Sequence, residues 1–227
     1  MKAIPDIRAW NEVMVKKYDV ENYYEKSSFA IRWIERMRIR TVLRAVGIRP
    51  GERLLEVGCG AGHVLGRIPQ GELVGIDLSS HMVRRTRERT NGRRVRILQA
   101  NADRLPFQEK MFDGIICTEV LEHVERPENV LTEIRRVAKP GARVVLSIPN
   151  EKVINRIKSM ILRLGLGSLF FDGEYPVPER MNDEWHLHVF DLKELIGGLE
   201  PQFLVKKITP IPSPLLPLRY VIACTSR

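Results

Sequence analysis

The sequence predicts an α/β fold, a mostly parallel sheet with helices on both faces. Three observations carry that expectation. From Arg53 to Asn150, short apolar runs alternate with amphipathic stretches, the order that builds parallel strands joined by helical crossovers. The strand-like residues Leu54, Leu55 and Val57 pass straight into a loop containing Gly58, Gly60 and Gly62. A chain of 227 residues with 44% hydrophobic content is large enough for one domain, 1–227, with a full core.

Residues 1–46 read as an N-terminal helical arm. The first 28 are polar and aromatic, with Trp10, Tyr18, Tyr23 and Tyr24, and fit a mobile arm or short helices equally. From Phe29 to Val46, Ile31, Ile34, Met37, Thr41, Val42 and Ala45 recur at helical spacing. Gly47, Pro50 and Gly51 end that helix. The first strand and the glycine loop follow, and a helix is expected near Gly62, with its free N–H groups facing a ligand. Leu73–Leu78 is the second strand, and Ser79 or Ser80 can cap a helix carrying the arginines between Arg84 and Arg96. Val95–Ala100 and Phe112–Cys117 are the third and fourth strands, with Asp103 in the loop between them. Pro127–Ala138 is a helix with proline in its first turn and Val130, Leu131, Ile134 and Val137 on one face. Lys139, Pro140 and Gly141 stop it before a fifth strand, Arg143–Ile148.

The order changes after Asn150. Residues 151–185 are expected to form a lid-like insertion, beginning with the amphipathic, basic stretch Glu151–Gly167. Asp191–Leu199 is a helix, and Phe203–Thr209 and Arg219–Thr225 are the sixth and seventh strands. Pro210, Pro212, Pro214 and Pro217 make the connection between those strands stiff and non-helical.

Composition excludes some classes. No apolar run approaches membrane-spanning length, and Met1–Ala9 lacks the apolar core of a signal peptide. Cys59, Cys117 and Cys224 have no metal-type spacing and read as reduced, buried thiols, so a cytoplasmic protein is expected. The net charge of +9 is concentrated in Arg32–Arg53 and Arg84–Arg96. Those arginines read first as solvated helix faces, with nucleic acid or anionic lipid as the alternatives.

Glu56, at the end of the first strand, is costly there without a partner. A dinucleotide site would space its glycines G-x-G-x-x-G around a pyrophosphate. Here the spacing is G-x-G-x-G, and Glu56 would repel that anion but suit a ligand with an amino group. The stretch closely resembles motif I of the class I S-adenosylmethionine-dependent methyltransferases, E/D-x-G-x-G-x-G, matched by Glu56, Gly58, Gly60 and Gly62. Further elements resemble that family in order and spacing as far as Asn150. Asp77 resembles the acid that holds the ribose hydroxyls, and Asp103, in A-D-x-L-P-F, the acid that contacts the adenine amino group. The strand F-D-G-I-I-C with Thr118 resembles motif IV, whose end lines the methionine side. The resemblance implies a Rossmann-like, seven-stranded sheet with its last strand antiparallel, and S-adenosyl-L-methionine as cofactor. It also implies that Cys59, Leu78, Met82, Asn101 and Ala102 flank the cofactor. Arg38 matches in position an arginine of the ubiquinone-type enzymes that holds the cofactor carboxylate; a surface arginine is the alternative.

Glu119, Glu122 and His123 stand at i, i+3 and i+4, one face of a helical turn. The pattern resembles the E-x-x-E-H of ubiquinone-pathway O-methyltransferases and of enzymes acting on small-RNA 3′ ends. That resemblance implies a divalent metal on Glu119, Glu122, His123 and His186; otherwise such residues cap, pack or touch cofactor. His123, with His186 and His188 of E-W-H-L-H-V-F, are the candidates for catalysis. The expected reaction is O-methylation of a small or lipid-like acceptor. An RNA methyltransferase using the basic helices is the alternative, and a non-catalytic cofactor-binding protein the third. T-E-V-L-E stands where base-modifying RNA enzymes carry N-P-P-[YF], which favours the small molecule. Val153, Ile154, Ile157, Ile161 and Leu164 form an apolar face that continues into Leu166, Leu169, Phe170 and Phe171. With Lys152, Arg156, Lys158 and Arg163 beside it, this face suits either an ordinary lid or peripheral contact with an anionic membrane.

Overall fold

The computed structural model describes residues 6–18, 27–165 and 185–227. Strands β1 (Arg53–Val57), β2 (Glu72–Asp77), β3 (Val95–Gln99), β4 (Phe112–Thr118) and β5 (Ala138–Pro149) pair in parallel. Strand β7 (Leu216–Ser226) runs antiparallel between β5 and β6 (Phe203–Ser213), completing the order β3-β2-β1-β4-β5-β7-β6. This is the mostly parallel sheet that the sequence predicts, with the seven strands and antiparallel last strand that the resemblance implies. The chain reverses its direction of travel between β1 and β4. Open parallel sheets bind ligands outside the carboxyl ends at such a switch point.

Alternation along the strands divides the core. Leu55, Val57, Ile115, Cys117, Val144 and Leu146 point to one face, Leu54, Ile116 and Val145 to the other. The first face is covered by α4 (Pro127–Val137), through Val130, Leu131, Ile134 and Val137, and by α6 (Leu192–Leu199), through Leu195 and Leu199. Each such fully buried side chain is worth roughly 1.5–3 kcal/mol. The second face is covered by α2 (Phe29–Val46), α3 (Ser80–Arg89) and the glycine loop. Helix α1 (Ile7–Lys17) and α5 (Glu151–Arg163) lie beyond these layers and are taken up with the site.

Five expectations need correction. No α-helix follows Gly62; there is only a single 3-10 turn, Leu65–Arg67. Gly62 has a φ of +76°, and Pro69 holds Ile68 in extended backbone, so no more than one turn fits between them. The backbone carbonyls that a helix would have used are bonded instead by guanidinium groups. Arg89 Nε donates to Ala61 O at 2.8 Å, and Arg93 donates to the carbonyls of Leu65, Gly66 and Ile68. The arginines between 84 and 96 are therefore not simply a solvated face.

The buried face of α2 is Glu35, Arg38, Ile39, Val42 and Val46, which places two charged residues inside the expected apolar stripe. Strand β5 begins at Ala138, so Lys139, Pro140 and Gly141 belong to a strand and not to a break before one. Strands β6 and β7 extend through Pro210, Pro212 and Pro217, leaving only Pro214 and Leu215 as the turn. Because β6 is the sheet edge, two missing N–H groups there cost the ladder little. The three cysteines are buried and unpaired with one another. No helix among the described residues is long and apolar enough to cross a membrane.

Candidate functional site

A cavity of about 500 Å³ opens at the carboxyl ends of β1, β2 and β4. It is lined by Arg38, Glu56, Gly58, Cys59, Gly60, Asp77, Leu78, Met82, Asn101, Ala102, Asp103 and Thr118, so twelve of the thirteen expected cofactor residues come together. Gly62 does not line it. A Cβ at Gly62 would meet Thr86 Cγ2 at 2.9 Å, so this glycine lets the loop lie against α3. Gly60, with φ of +51°, differs: a Cβ there would meet nothing within 4 Å.

The loop is tied to β2 through Asp77. Gly60 N–H donates to Asp77 Oδ2 at 2.8 Å and Ser79 N–H to Oδ1 at 2.9 Å. Burial outweighs these bonds and pushes the Asp77 carboxyl up to about 6. Burial also raises Glu56, to about 8, against a backbone hydrogen bond from Leu65 and the nearby charge of Arg38. Glu56 is 2% exposed, and its Oε2 has no partner among the described residues. Asp103 Oδ1 is likewise buried and unpartnered in the same cavity, and burial, with Glu125 and Glu128 nearby, raises its carboxyl. Such orphaned acceptors in a cavity mark places where a ligand donor belongs.

Arg38 is 1% exposed, so the surface reading of it is wrong. It belongs to a buried ladder of charges that sequence reasoning did not find. Arg38 Nε bonds Glu35 Oε2 at 2.9 Å, Glu35 pairs with Arg219 of β7 at 2.7 Å, and Arg219 also pairs with Glu119. Burial would raise the Glu35 carboxyl, but Arg219 and Arg38 together hold it below the ordinary range. The only hint in the sequence was Glu35 three residues ahead of Arg38 on one helix.

Glu119 has a φ of +55°, uncommon for a residue with a side chain, and its carboxylate is committed to Arg219 and to Ser147 Oγ. It is therefore turned to a different set of partners from Glu122, His123 and His186. Those three offer ligand atoms that all lie within 4.8 Å of one another. Glu122 is 1% exposed with Oε2 unpartnered, and burial, with Glu119 close by, raises its carboxyl well above the usual range. Burial and the neighbouring His186 lower His123 to about 3, keeping it neutral. His123 Nδ1 lies 3.1 Å from Trp185 O, and His186 Nδ1 lies 2.7 Å from Glu151 Oε1. His188 is elsewhere: its Nε2 is 2.9 Å from Val124 O, and it does not line the cavity. The backbone makes this cluster, because Leu187 and His188 N–H groups both bond Glu122 O.

Helix α1 and its C-cap Tyr18 roof the cavity through Ile7, Asn11, Val15 and Tyr18. Glu12 anchors it to the N-terminus of α3, accepting from Ser79 Oγ at 2.9 Å and from Ser80 N–H, and Tyr18 stacks on Trp185 at 5.2 Å. On the other side, Ile154 and Lys158 of α5 line the cavity, while Met160, Leu162 and Leu164 are exposed. The apolar continuation of α5 through Leu166, Leu169, Phe170 and Phe171 lies outside the described residues.

Known proteins resemble this chain in sequence over its central part and in fold. A profile described as "Methyltransferase domain" matches residues 55–146. The ubiquinone/menaquinone biosynthesis C-methyltransferase UbiE of Erwinia tasmaniensis is 33% identical over 139 residues, 57% of this chain and 53% of that protein. The O-methyltransferase rstn1 of Aspergillus nomiae is 32% identical over 124 residues, 48% of this chain and 55% of that protein. The chain thus spans about half the length of these curated relatives. Among solved structures, the putative methyltransferase in complex with the Haloferax volcanii Trm112 activator superposes with a TM-score of 0.69, covering 97% of both chains at 15% identity, a likeness of fold. With its glycine loop, buried acids and sheet order in place, the chain is similar over residues 55–146 to the methyltransferase domain and has the fold of S-adenosylmethionine-dependent methyltransferases.

Proposed function

We propose that this protein transfers the methyl group of S-adenosylmethionine to an oxygen of a small or lipid-like acceptor. The observation that carries the cofactor half is the pair of buried, unpartnered carboxylate oxygens of Glu56 and Asp103 in a cavity that also holds Asp77. Glu56 would accept from the cofactor amino group, Asp77 from the ribose hydroxyls and Asp103 from the adenine amino group, with Arg38 near the carboxylate. The sulfonium supplies an activated methyl group, so the chain's own task is to exclude water and hold the acceptor in line. Helix α1 and the Tyr18–Trp185 stack support the first of these roles.

A hydroxyl acceptor must lose its proton, and His186 is the group placed to take it, since burial holds His123 neutral. Both line the cavity with Nδ1 engaged, which leaves Nε2 of His186 to take a proton and Nε2 of either ring to bind a cation. The donor set also fits a divalent metal. Glu122, His123 and His186 would hold it, since an imidazole anchored through Nδ1 and an orphaned carboxylate oxygen are what such a site needs. A metal there would lower the pKa of the acceptor hydroxyl. Glu119 is not proposed as a ligand, because Arg219 and Ser147 occupy its carboxylate.

Nucleic acid is the second reading, drawn from the charge of +9. The bonds of Arg87, Arg89 and Arg93 to backbone carbonyls weigh against it, since these guanidinium groups hold the fold. A methyl-transfer screen with labelled S-adenosylmethionine across phenols, lipid-like hydroxyl compounds and mixed RNA tests the proposal. Label passing to a hydroxyl compound supports it; label passing to RNA alone contradicts it.

A further inference from the structure

Glu151 occupies the first turn of α5, just past the end of β5, and is 3% exposed. The N-terminal end of a helix favours a negative charge. Its Oε1 lies 2.7 Å from His186 Nδ1, while its Oε2 is buried and unpartnered among the described residues. An ionised carboxylate can only accept, so that contact requires the proton on Nδ1 and the lone pair on Nε2. Glu151 does not itself line the cavity, whereas His186 does. The ring is held from two further sides. His123 packs edge-on to it with centroids 4.8 Å apart, and the next two residues are pinned to Glu122 O through their N–H groups.

We propose that Glu151 is a positioning residue that fixes the tautomer and orientation of His186, so that Nε2 presents its lone pair to the cavity. The role rests on the reading of His186 as an acceptor-side group. It adds a carboxylate that lies thirty-five positions from its histidine in sequence and outside the E-V-L-E-H pattern. A carboxylate behind an imidazole also fixes the ring's orientation, which serves proton removal and cation binding alike.

The test is the tautomer of His186, read from long-range nitrogen–proton NMR spectra of the full chain, assigned with His186→Gln. The wild type is expected as the Nδ1–H form. Glu151→Ala should move it toward the Nε2–H form, and Glu151→Gln should retain Nδ1–H, because the amide oxygen accepts the same bond. A Co(II) titration followed by visible absorbance gives the second readout: Glu151→Ala should bind about 10–100-fold more weakly than wild type. S-adenosylhomocysteine affinity should stay within about twofold of wild type, since Glu151 is not among the lining residues. An Nε2–H tautomer in the wild type overturns the proposal and needs no variant to fold. So does an unchanged tautomer in Glu151→Ala. A wild type with the Nδ1–H form lost in Glu151→Ala, but with no Co(II) binding, supports the positioning role and removes only the metal from the reading of the site.

Discussion

Replacing Glu56 with Gln probes the buried carboxyl proposed to accept from the cofactor amino group. In the ligand-free protein burial raises Glu56 from 4.5 to about 8, so between those values the folded chain binds a proton that the unfolded chain has released. Stability from this group is therefore fully present below about pH 4.5 and is lost as pH rises through 8. Each tenfold change in proton affinity is worth about 1.4 kcal/mol, which makes the cost above pH 8 about 3–5 kcal/mol. Glutamine copies the protonated carboxyl and carries no such cost. Thermal unfolding of both proteins from pH 5 to 9 should show nearly equal midpoints at pH 5. By pH 8.5 Glu56→Gln should be more stable by on the order of 10 °C, at about 2–4 °C per kcal/mol for a chain of this size. Saturating S-adenosylhomocysteine should flatten the wild-type curve, because its ammonium group stabilises the anionic carboxylate. Parallel curves for the two proteins would refute the reasoning.

Three other outcomes are expected. Asp77→Ala should weaken S-adenosylhomocysteine binding by about 1–3 kcal/mol in calorimetry, and wild-type affinity should fall as pH drops through about 6, where Asp77 gains its proton. Arg93→Ala removes the bonds to three loop carbonyls and should cost about 2–3 kcal/mol in urea unfolding, with Arg93→Lys recovering only part because lysine lacks the fork. If the exposed side of α5 meets anionic lipid, the wild type will co-sediment with phosphatidylserine vesicles at low salt, and Leu162→Glu, on a side chain 52% exposed, will not. No sedimentation by either protein leaves α5 as a lid alone.

The sheet was legible because its signals are local. Strands such as Leu54–Val57 and Phe112–Cys117 are continuous apolar runs, and α4 carries its proline and its apolar stripe within eleven residues. Most residues expected on the cofactor side line one cavity, because Glu56 and Asp77 stand at the ends of strands whose place in the order was clear and Asp103 lies in the loop that follows the third. What failed depended on distant partners. The missing helix after Gly62 is compensated by arginines more than twenty positions away, and Glu35, buried on α2, is met by Arg219 of β7 as well as by Arg38. On the acceptor side, spacing placed Glu119 with Glu122 and His123 on one helical turn. The backbone there is instead a residue of positive φ followed by a 3-10 turn at Leu121–His123, and the Glu119 carboxylate bonds Ser147 and Arg219. Nothing in the sequence joined Glu151 to His186 or Tyr18 to Trp185, since those contacts arise from chain segments brought together only by the sheet.

The most direct test of the central claim is calorimetric titration of the full chain with S-adenosylhomocysteine and, separately, with NAD. The arrangement of Glu56, Asp77 and Asp103 predicts a one-to-one complex with S-adenosylhomocysteine in the micromolar range, about −8 kcal/mol, and no heat from NAD. Binding of NAD without binding of S-adenosylhomocysteine would contradict it.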